Sequence, residues 1–302
     1  MSQAEIAADT SETFVDRVLP FTIPSRHVRG RAVRLDAVLD EIISAHDYPP
    51  AITHVLAEAL VVAALVGSLT KNDGQMTMQA QTRGGAIALL VCDYRGGELR
   101  GYADYDAEAL EKLGANPTLP ALFGEGYLAI TFDLEEGEGG RYQGIVPLEG
   151  ETLGEACESY FAQSEQLPSL LRIAVRGGED ASAAGLMVQH LPDGEEGRER
   201  LHVRLDHPEW EHVAVMAGSL RYEELLDPTL SMEGIVWRLF HEEDEIRTAP
   251  AMPLSRGCRC SVAHYRTVLA RFGEAELAEM RDEDGLIRVD CAFCSKVFPI
   301  ET

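Results

Sequence analysis

Positive charge is scarce in this chain of 302 residues. Its 26 lysines and arginines face 51 aspartates and glutamates, a formal net charge of −25. No long basic cluster offsets that balance, so a nucleic acid duplex or an anionic membrane repels the chain, and neither is expected as a partner. The opening stretch MSQAEIAADTSETF has no basic residue before Arg17 and no apolar segment, so a secretory signal is not expected. The longest strongly apolar run, Ala59 to Leu69, is too short to span a bilayer and reads as a buried helix. A cytoplasmic address is the expectation, and cytoplasmic thiols are normally reduced. Catalytic signatures are missing too. There is no G-x-x-x-x-G-K-[ST] and no G-x-G-x-x-G after a strand, and the serines of VGSLT and AGSLR lie outside any G-x-S-x-G. FHEEDEI lacks the second histidine of a zincin motif, and DCAFC lacks the H-x-E partner of zinc deaminases. The acidic pairs Glu135-Glu136 and Glu195-Glu196 lie in glycine-rich loops and read as solvated. No catalytic site assembles from these pieces, so an enzyme is not expected.

What is present begins with a hydrophobic fraction of 45%, enough for a globular core. RLDAVLDEIISAH carries Leu35, Val38, Leu39, Ile42 and Ile43 on one helical face, and Pro49-Pro50 opens the buried helix. AIALLVCDYRGGELRGYADY predicts two strands about Gly96-Gly97, and GYLAITFDLEEGEGGRYQGIVPL predicts a second hairpin with an acidic, glycine-rich loop at 135–140. TLGEACESYFAQSEQLPSLLRIAVRG predicts a helix, a break at Pro168 and a strand; AAGLMVQHLP reads as a strand or a buried turn. Helices and strands fall in separate blocks, which makes the fold α+β. The expected organisation is a mixed helix and sheet core over 1–205, with a flexible tail at 1–13. A helical linker over 206–257 and a small four-cysteine zinc domain over 258–302 follow.

The linker composition is distinctive. DHPEWEHVAVMAGSL places Trp210, Val213, Ala214, Ala217 and Leu220 on one face, with Pro208 and Glu209 in its first turn. DPTLSMEGIVWRLFHEEDE places Met232, Ile235, Val236, Leu239 and Phe240 on another, with Pro228 near its start. Two short amphipathic helices are marginal alone and depend on what their apolar faces cover. RTAPAMPLSRG then reads as a proline-containing connector.

Cysteine usage singles out the C-terminus. Cys258 and Cys260 form C-x-C, and thirty residues later Cys291 and Cys294 form C-x-x-C. Two close pairs brought together by a fold supply the four thiolates that Zn²⁺ takes in a tetrahedron. Ser261 caps a helix carrying Val262, Tyr265, Leu269 and Phe272; EAELAEM adds a helical segment, Gly285 turns the chain, and LIRVD returns it. So small a module buries little apolar area, so the metal supplies most of its stability, about 10–16 kcal/mol in isolated zinc peptides. His264, four residues past Cys260, is an alternative ligand in place of one cysteine, but four thiolates already complete the shell, and otherwise it reads as a partly exposed helix residue. Arg256, Arg259, Arg288 and Lys296 are either compensation for the charge of a tetrathiolate centre or ordinary surface charge. The pairs serve as an inert knuckle or, since adjacent thiolates can be oxidised, as redox centres. A bridge across C-x-C spans two residues, about 7 Å extended, and requires a backbone kink. Cys92 and Cys157 sit alone in apolar contexts and read as core filler.

The combination resembles the heat shock protein 33 family, redox-regulated holdase chaperones of the bacterial cytosol, from about Arg17 to the end. CRCS and CAFC carry the resemblance, with RGYA, YQGIV, YFAQSEQLPS, GLMVQHLP, WEHV and RLFHEED in order before them. SVAHY and VFPI depart from the family pattern and leave the four cysteines untouched. The resemblance implies one zinc ion per chain, held by Cys258, Cys260, Cys291 and Cys294 in a reduced, inactive form. It implies oxidation that pairs Cys258 with Cys260 and Cys291 with Cys294, metal loss and loosening of the linker. The active form, typically a homodimer, then holds unfolding client proteins without ATP. Trp210, Val213, Ile235, Leu239 and Phe240 are the expected client-binding residues, unless they serve as permanent core packing. The competing class is a zinc-stabilised enzyme or adaptor with a static four-cysteine site.

Overall fold

The computed structural model describes residues 15–70, 74–134, 140–178, 180–191 and 207–301. The expected tail at 1–13, most of the acidic loop at 135–140 and Glu195-Glu196 lie outside the described residues, as does the stretch around the expected boundary at 205.

One helix organises the core. The chain enters through β1 (Arg17–Ile23) and β2 (Val28–Leu35), turns through α1 (Ala37–Ile43) and continues into α2 (Pro50–Gly67). Asp16 accepts hydrogen bonds from the backbone N–H groups of Asp36, Ala37 and Val38, capping α1. The helix starts at Pro50, as the Pro49-Pro50 pair indicated, and runs 18 residues, through most of the strongly apolar run Ala59 to Leu69. By length and composition α2 is apolar enough to cross a membrane, but 78% of it is buried inside the fold. It is a core helix, as the sequence predicts.

Two antiparallel sheets flank it. β3 (Gln75–Gly84), β4 (Ile87–Arg95) and β5 (Glu98–Tyr105) lead to the short helices α3 (Ala107–Leu113) and α4 (Leu119–Phe123), and then to the hairpin β6 (Gly124–Asp133) and β7 (Arg141–Pro147). After α5 (Leu153–Tyr160), β8 (Ser169–Arg176) and β9 (Ser182–His190) complete the core. The first sheet has the order β1-β2-β9-β8 and the second β5-β4-β3-β6-β7, before later segments extend both. Both expected hairpins are present, with Gly96 and Gly97 at positive φ in the β4–β5 turn. AAGLMVQHLP resolves as a strand. All nine residues of β9 are buried, because both faces of the first sheet are covered, and a strand covered twice shows no alternation.

The second cover comes from later in the chain. α6 (Pro208–Gly218), α7 (Tyr222–Leu225) and α8 (Met232–Phe240) pack on the outer face of the first sheet. The second helix starts later than its sequence suggested. Asp227 folds back on Thr229, and Ser231 caps α8 by accepting from the Gly234 N–H at 3.0 Å, leaving Pro228 in the preceding turn. A short extra helix, α7, was not anticipated. The connector is also more ordered than expected. β10 (Arg247–Thr248) and β11 (Met252–Pro253) pair with β1, and β12 (Ser255–Arg256) pairs in parallel with β5. Edge positions tolerate its prolines, which have no N–H to give.

Candidate metal centre

Beyond β12, Cys258 and Cys260 lead into α9 (Val262–Leu269) and α10 (Glu274–Met280). The hairpin β13 (Ile287–Asp290) and β14 (Val297–Ile300) then holds Cys291 and Cys294 in its turn. Ser261 caps α9 by accepting from the His264 N–H at 3.1 Å, as the sequence indicated. The second pair sits on a tight turn. The Cys294 and Ser295 N–H groups donate to Cys291 O at 3.2 and 2.8 Å, and Ser295 takes a φ of 54°, a left-handed position unusual for serine. This module buries only Leu269, Ile287 and Ile300 fully, too few to stabilise it unaided.

The four predicted cysteines converge. Their sulfurs all lie within 4.8 Å of one another. Cys258 Sγ is 3.2 Å from Cys260 Sγ and 3.5 Å from Cys291 Sγ, and Cys260 Sγ is 3.6 Å from Cys294 Sγ. A tetrahedral shell with Zn–S bonds of about 2.3 Å places its sulfurs about 3.8 Å apart, so the donor set fits that ion. All four are free thiols, as are Cys92 and Cys157, which are fully buried in the core as filler. Burial pushes the thiols of Cys260 and Cys294 up. At Cys291 burial acts the same way, but the Tyr265 hydroxyl and the Phe293 N–H stabilise the thiolate and bring it down to about 7. Tyr265 lies on the apolar stripe of α9, and its ring meets Phe298 at 5.2 Å. His264 is turned toward Tyr265. Two of the four basic residues are engaged elsewhere: Arg288 pairs with Asp282 and Asp284, and Arg259 reaches to Gln75 and Asp93 of the core.

How the module seats on the core is visible only in the fold. Phe293, between the second pair, lies under the Arg100 guanidinium at 4.0 Å and edge-on to Tyr102 at 4.9 Å. Its carbonyl is 3.3 Å from His46 Nε2, and Ser295 Oγ is 3.1 Å from His46 Nδ1. Phe293 was visible only as one aromatic in CAFC, and Arg100 only within RGYA.

The five expected client-contact residues are all buried here: Val213 is fully covered, and Ile235, Phe240, Trp210 and Leu239 are at most 8% exposed. They pack on Leu19, Phe21, Ile23, Val28, Leu186 and Val188 of the first sheet. Phe21 lies flat across Gly30, where any side chain would collide with its ring, and its centroid is 6.1 Å from that of Phe240. Polar fastenings accompany this packing. Arg34, buried on β2, donates to Leu225 O at 2.6 and 3.1 Å and to Leu230 O at 3.0 Å. Arg172 donates to Leu220 O and stacks on Tyr222. Arg26 bridges Glu209 and Glu243, and His212 Nε2 lies 2.8 Å from Glu243. Arg34 had a legible signal: by strand alternation it falls on the face of Val28, Gly30 and Ala32, opposite to that of Arg29 and Arg31.

Known proteins share this arrangement. A family model described as Hsp33 protein matches residues 16–301. A 33 kDa chaperonin of Caulobacter vibrioides is 38% identical over 306 residues, covering 98% of each chain. A 33 kDa chaperonin of Yersinia pestis is 33% identical over 283 residues, covering 92% of this chain and 90% of its own. The crystal structure of a 33 kDa chaperonin, a heat shock protein 33 homologue from Thermotoga maritima, superposes with a TM-score of 0.76 at 25% identity and 95% coverage of both chains. With its four cysteines gathered as a metal site and its length matched almost end to end, the chain belongs to the Hsp33 family and is a chaperone, not an enzyme.

Proposed function

We propose that the chain is a redox-regulated, ATP-independent holdase, closed while its four thiolates hold Zn²⁺ and opened by their oxidation. Bound zinc supplies cross-linking alone, tying Cys258 and Cys260 to Cys291 and Cys294. Under peroxide, each pair of thiolates gives up two electrons and forms one S–S bond. The peroxide O–O bond breaks, accepts those electrons and takes two protons to give two waters. Two peroxides thus bridge Cys258 with Cys260 and Cys291 with Cys294 and leave no thiolate to hold the ion. The module, with three fully buried apolar residues, then loses its main source of order. Residues 206–257 loosen next, being short helices anchored through two-residue strands.

The observation that carries this reading is the apolar outer face of the first sheet under a cover that leads to the thiols. Lifting the cover bares that face together with Trp210, Val213, Ile235, Leu239 and Phe240. Each large side chain is worth about 2 kcal/mol when reburied against an unfolded client. A cytoplasmic location, a homodimer in the oxidised state and indifference to nucleic acid and membranes complete the proposal; the charge of −25 supports the last.

The test follows metal release to a chromogenic chelator alongside light scattering of a heat-aggregating client, before and after peroxide at raised temperature. The expected result is release of one zinc per chain together with suppressed scattering, both reversed by thiol reductant. Equal suppression by the reduced, metal-loaded protein would overturn the proposal and leave a static four-cysteine site.

A further inference from the structure

Each cysteine pair carries between its cysteines a residue that leaves the metal shell and plugs into the core. In Cys258-Arg259-Cys260 it is Arg259, and in Cys291-Ala292-Phe293-Cys294 it is Phe293. The two plugs enter one patch on the outer face of the second sheet. Arg259 Nη1 donates to Gln75 Oε1 at 2.6 Å, and its Nη2 is 3.6 Å from Asp93 Oδ2. Phe293 sits against Arg100 and Tyr102. Arg100 in turn donates to the same Asp93 oxygen through Nε at 2.7 Å and Nη2 at 2.5 Å, while Thr77 donates to the other oxygen at 2.7 Å. The Asp93 side chain is only 4% exposed, so this node is desolvated, where charge-assisted bonds are strong.

We infer that the Asp93–Arg100 node is a core latch that positions both thiol pairs for the metal and sets how readily they are oxidised. Its oxidation half rests on the redox reading above; its metal half does not. The geometry supplies the coupling. A disulfide needs its sulfurs about 2.05 Å apart, and in C-x-C that closure kinks the backbone at the intervening residue. The residue that kinks is Arg259, so bridging Cys258 with Cys260 pulls its guanidinium from Gln75 and Asp93. Bridging Cys291 with Cys294 reshapes the turn that presents Phe293 to Arg100. Docked plugs and closed bridges therefore exclude one another. By reciprocity, a core that holds the plugs holds the sulfurs in the shell. Arg100, Asp93 and Gln75 touch no sulfur; they are positioning residues acting through Arg259 and Phe293.

The experiment uses the full-length, zinc-loaded chain and the variants Arg100→Gln, Phe293→Leu and their double. One arm, without oxidant, follows zinc transfer to a competing chelator. The other follows peroxide-driven loss of the four thiols by alkylation and mass spectrometry. Each single variant is expected to accelerate both about tenfold, the factor that 1.4 kcal/mol represents. The double variant is expected to fall well short of the product of the singles, because the Arg100–Phe293 contact is lost in both. A merely structural weakening of two sites would multiply instead. Gln75→Ala, which frees Arg259, drops the bond from Gln75 Nε2 to Thr77 and leaves the Phe293 seat intact, gives an independent reading should Arg100→Gln fail to fold, with about threefold acceleration expected. Wild-type rates in every variant, or multiplying effects in the double, overturn the latch. If the wild-type thiols resist peroxide, the redox proposal falls, and the chelator arm still decides the metal half: faster transfer in the variants supports it and equal transfer refutes it.

Discussion

The two faces of the first sheet are buried by covers of opposite character. Inside lies α2, one continuous helix of 18 residues held between two sheets. Outside lie α6, α7 and α8, of 11, 4 and 9 residues, tied down by arginines from the sheet and by two-residue strands. Both covers bury ordinary apolar side chains. What differs is construction: the inner cover is a single helix embedded in the core, whereas the outer one is made of short pieces with separate fastenings. A chaperone that must expose apolar surface without unfolding needs this asymmetry.

Truncation separates the two most strongly. Leu56→Ala, in the fully buried face of α2, is expected to cost about 4 kcal/mol and to shift every probe together in a urea titration. Phe240→Ala should cost about 3 kcal/mol, but locally. Hydrogen exchange should quicken over 207–256 while β3, β4 and β6 keep their protection, and client holding should appear without oxidant. Both tryptophans, Trp210 and Trp237, lie in the outer cover, so their emission isolates its release from the unfolding of the core. If the two variants melt identically by tryptophan emission and by circular dichroism, the covers are not distinct units.

Acidity sharpens the contrast, because the carboxyl groups of the two regions shift in opposite directions. Burial raises Glu58, under α5 in the core, to about 7, although the N–H groups of Gly154 and Leu153 partly offset it. A raised carboxyl pKa favours the protonated folded state. Stability should therefore fall as pH climbs from 4.5 toward 7 and level off above. Glu58→Gln is accordingly expected to stabilise the chain by about 2 kcal/mol at pH 8 and to leave it unchanged near pH 4, read as melting temperature. In the cover the sign reverses. Hydrogen bonds from Arg26 hold Glu209 below its ordinary range, those from Arg221 do so for Glu224, and those from Thr229 do so for Asp227. Burial pushes Glu243 up, but Arg26 and His212 outweigh it and leave it depressed as well. Depressed groups stabilise above their unfolded pKa, 4.5 for the glutamates and 3.8 for Asp227, and that contribution is lost as pH falls through the folded values. Tryptophan emission should report the cover loosening as pH falls below 4.5, with Glu243→Gln showing the smallest change of the set, a weaker acid dependence. A cover that tightened in acid would contradict this assignment.

Sequence pattern reached far in this molecule where the physics is local. The stripe Met232, Ile235, Val236, Leu239 and Phe240 is buried residue for residue, because helical periodicity determines a face whatever lies beneath it. The convergence of the four cysteines was legible because two close thiol pairs at that spacing are the pattern of a four-sulfur metal site. What the stripe covers was not legible, since β9, apolar without a break from Ala183 to Val188, carries no mark there of which face meets α2 and which meets α8. Nor could the connector 246–257 be read as strand: two residues have no periodicity, and the pairing exists only once β1 and β5 are in place. The seat of Phe293 depends on residues almost two hundred positions away, beyond any local pattern.

The short strands β10, β11 and β12 close one edge of each sheet, β1 in the first and β5 in the second. Once they peel off, each molecule presents two rows of vacant backbone donors and acceptors, a template on which identical chains can stack without limit. An opened molecule thus courts fibre formation at the very moment it is meant to prevent aggregation in others. Mutual repulsion between bodies carrying 25 excess negative charges opposes that stacking, and high ionic strength, by screening it, should turn opened molecules from guardians into seeds.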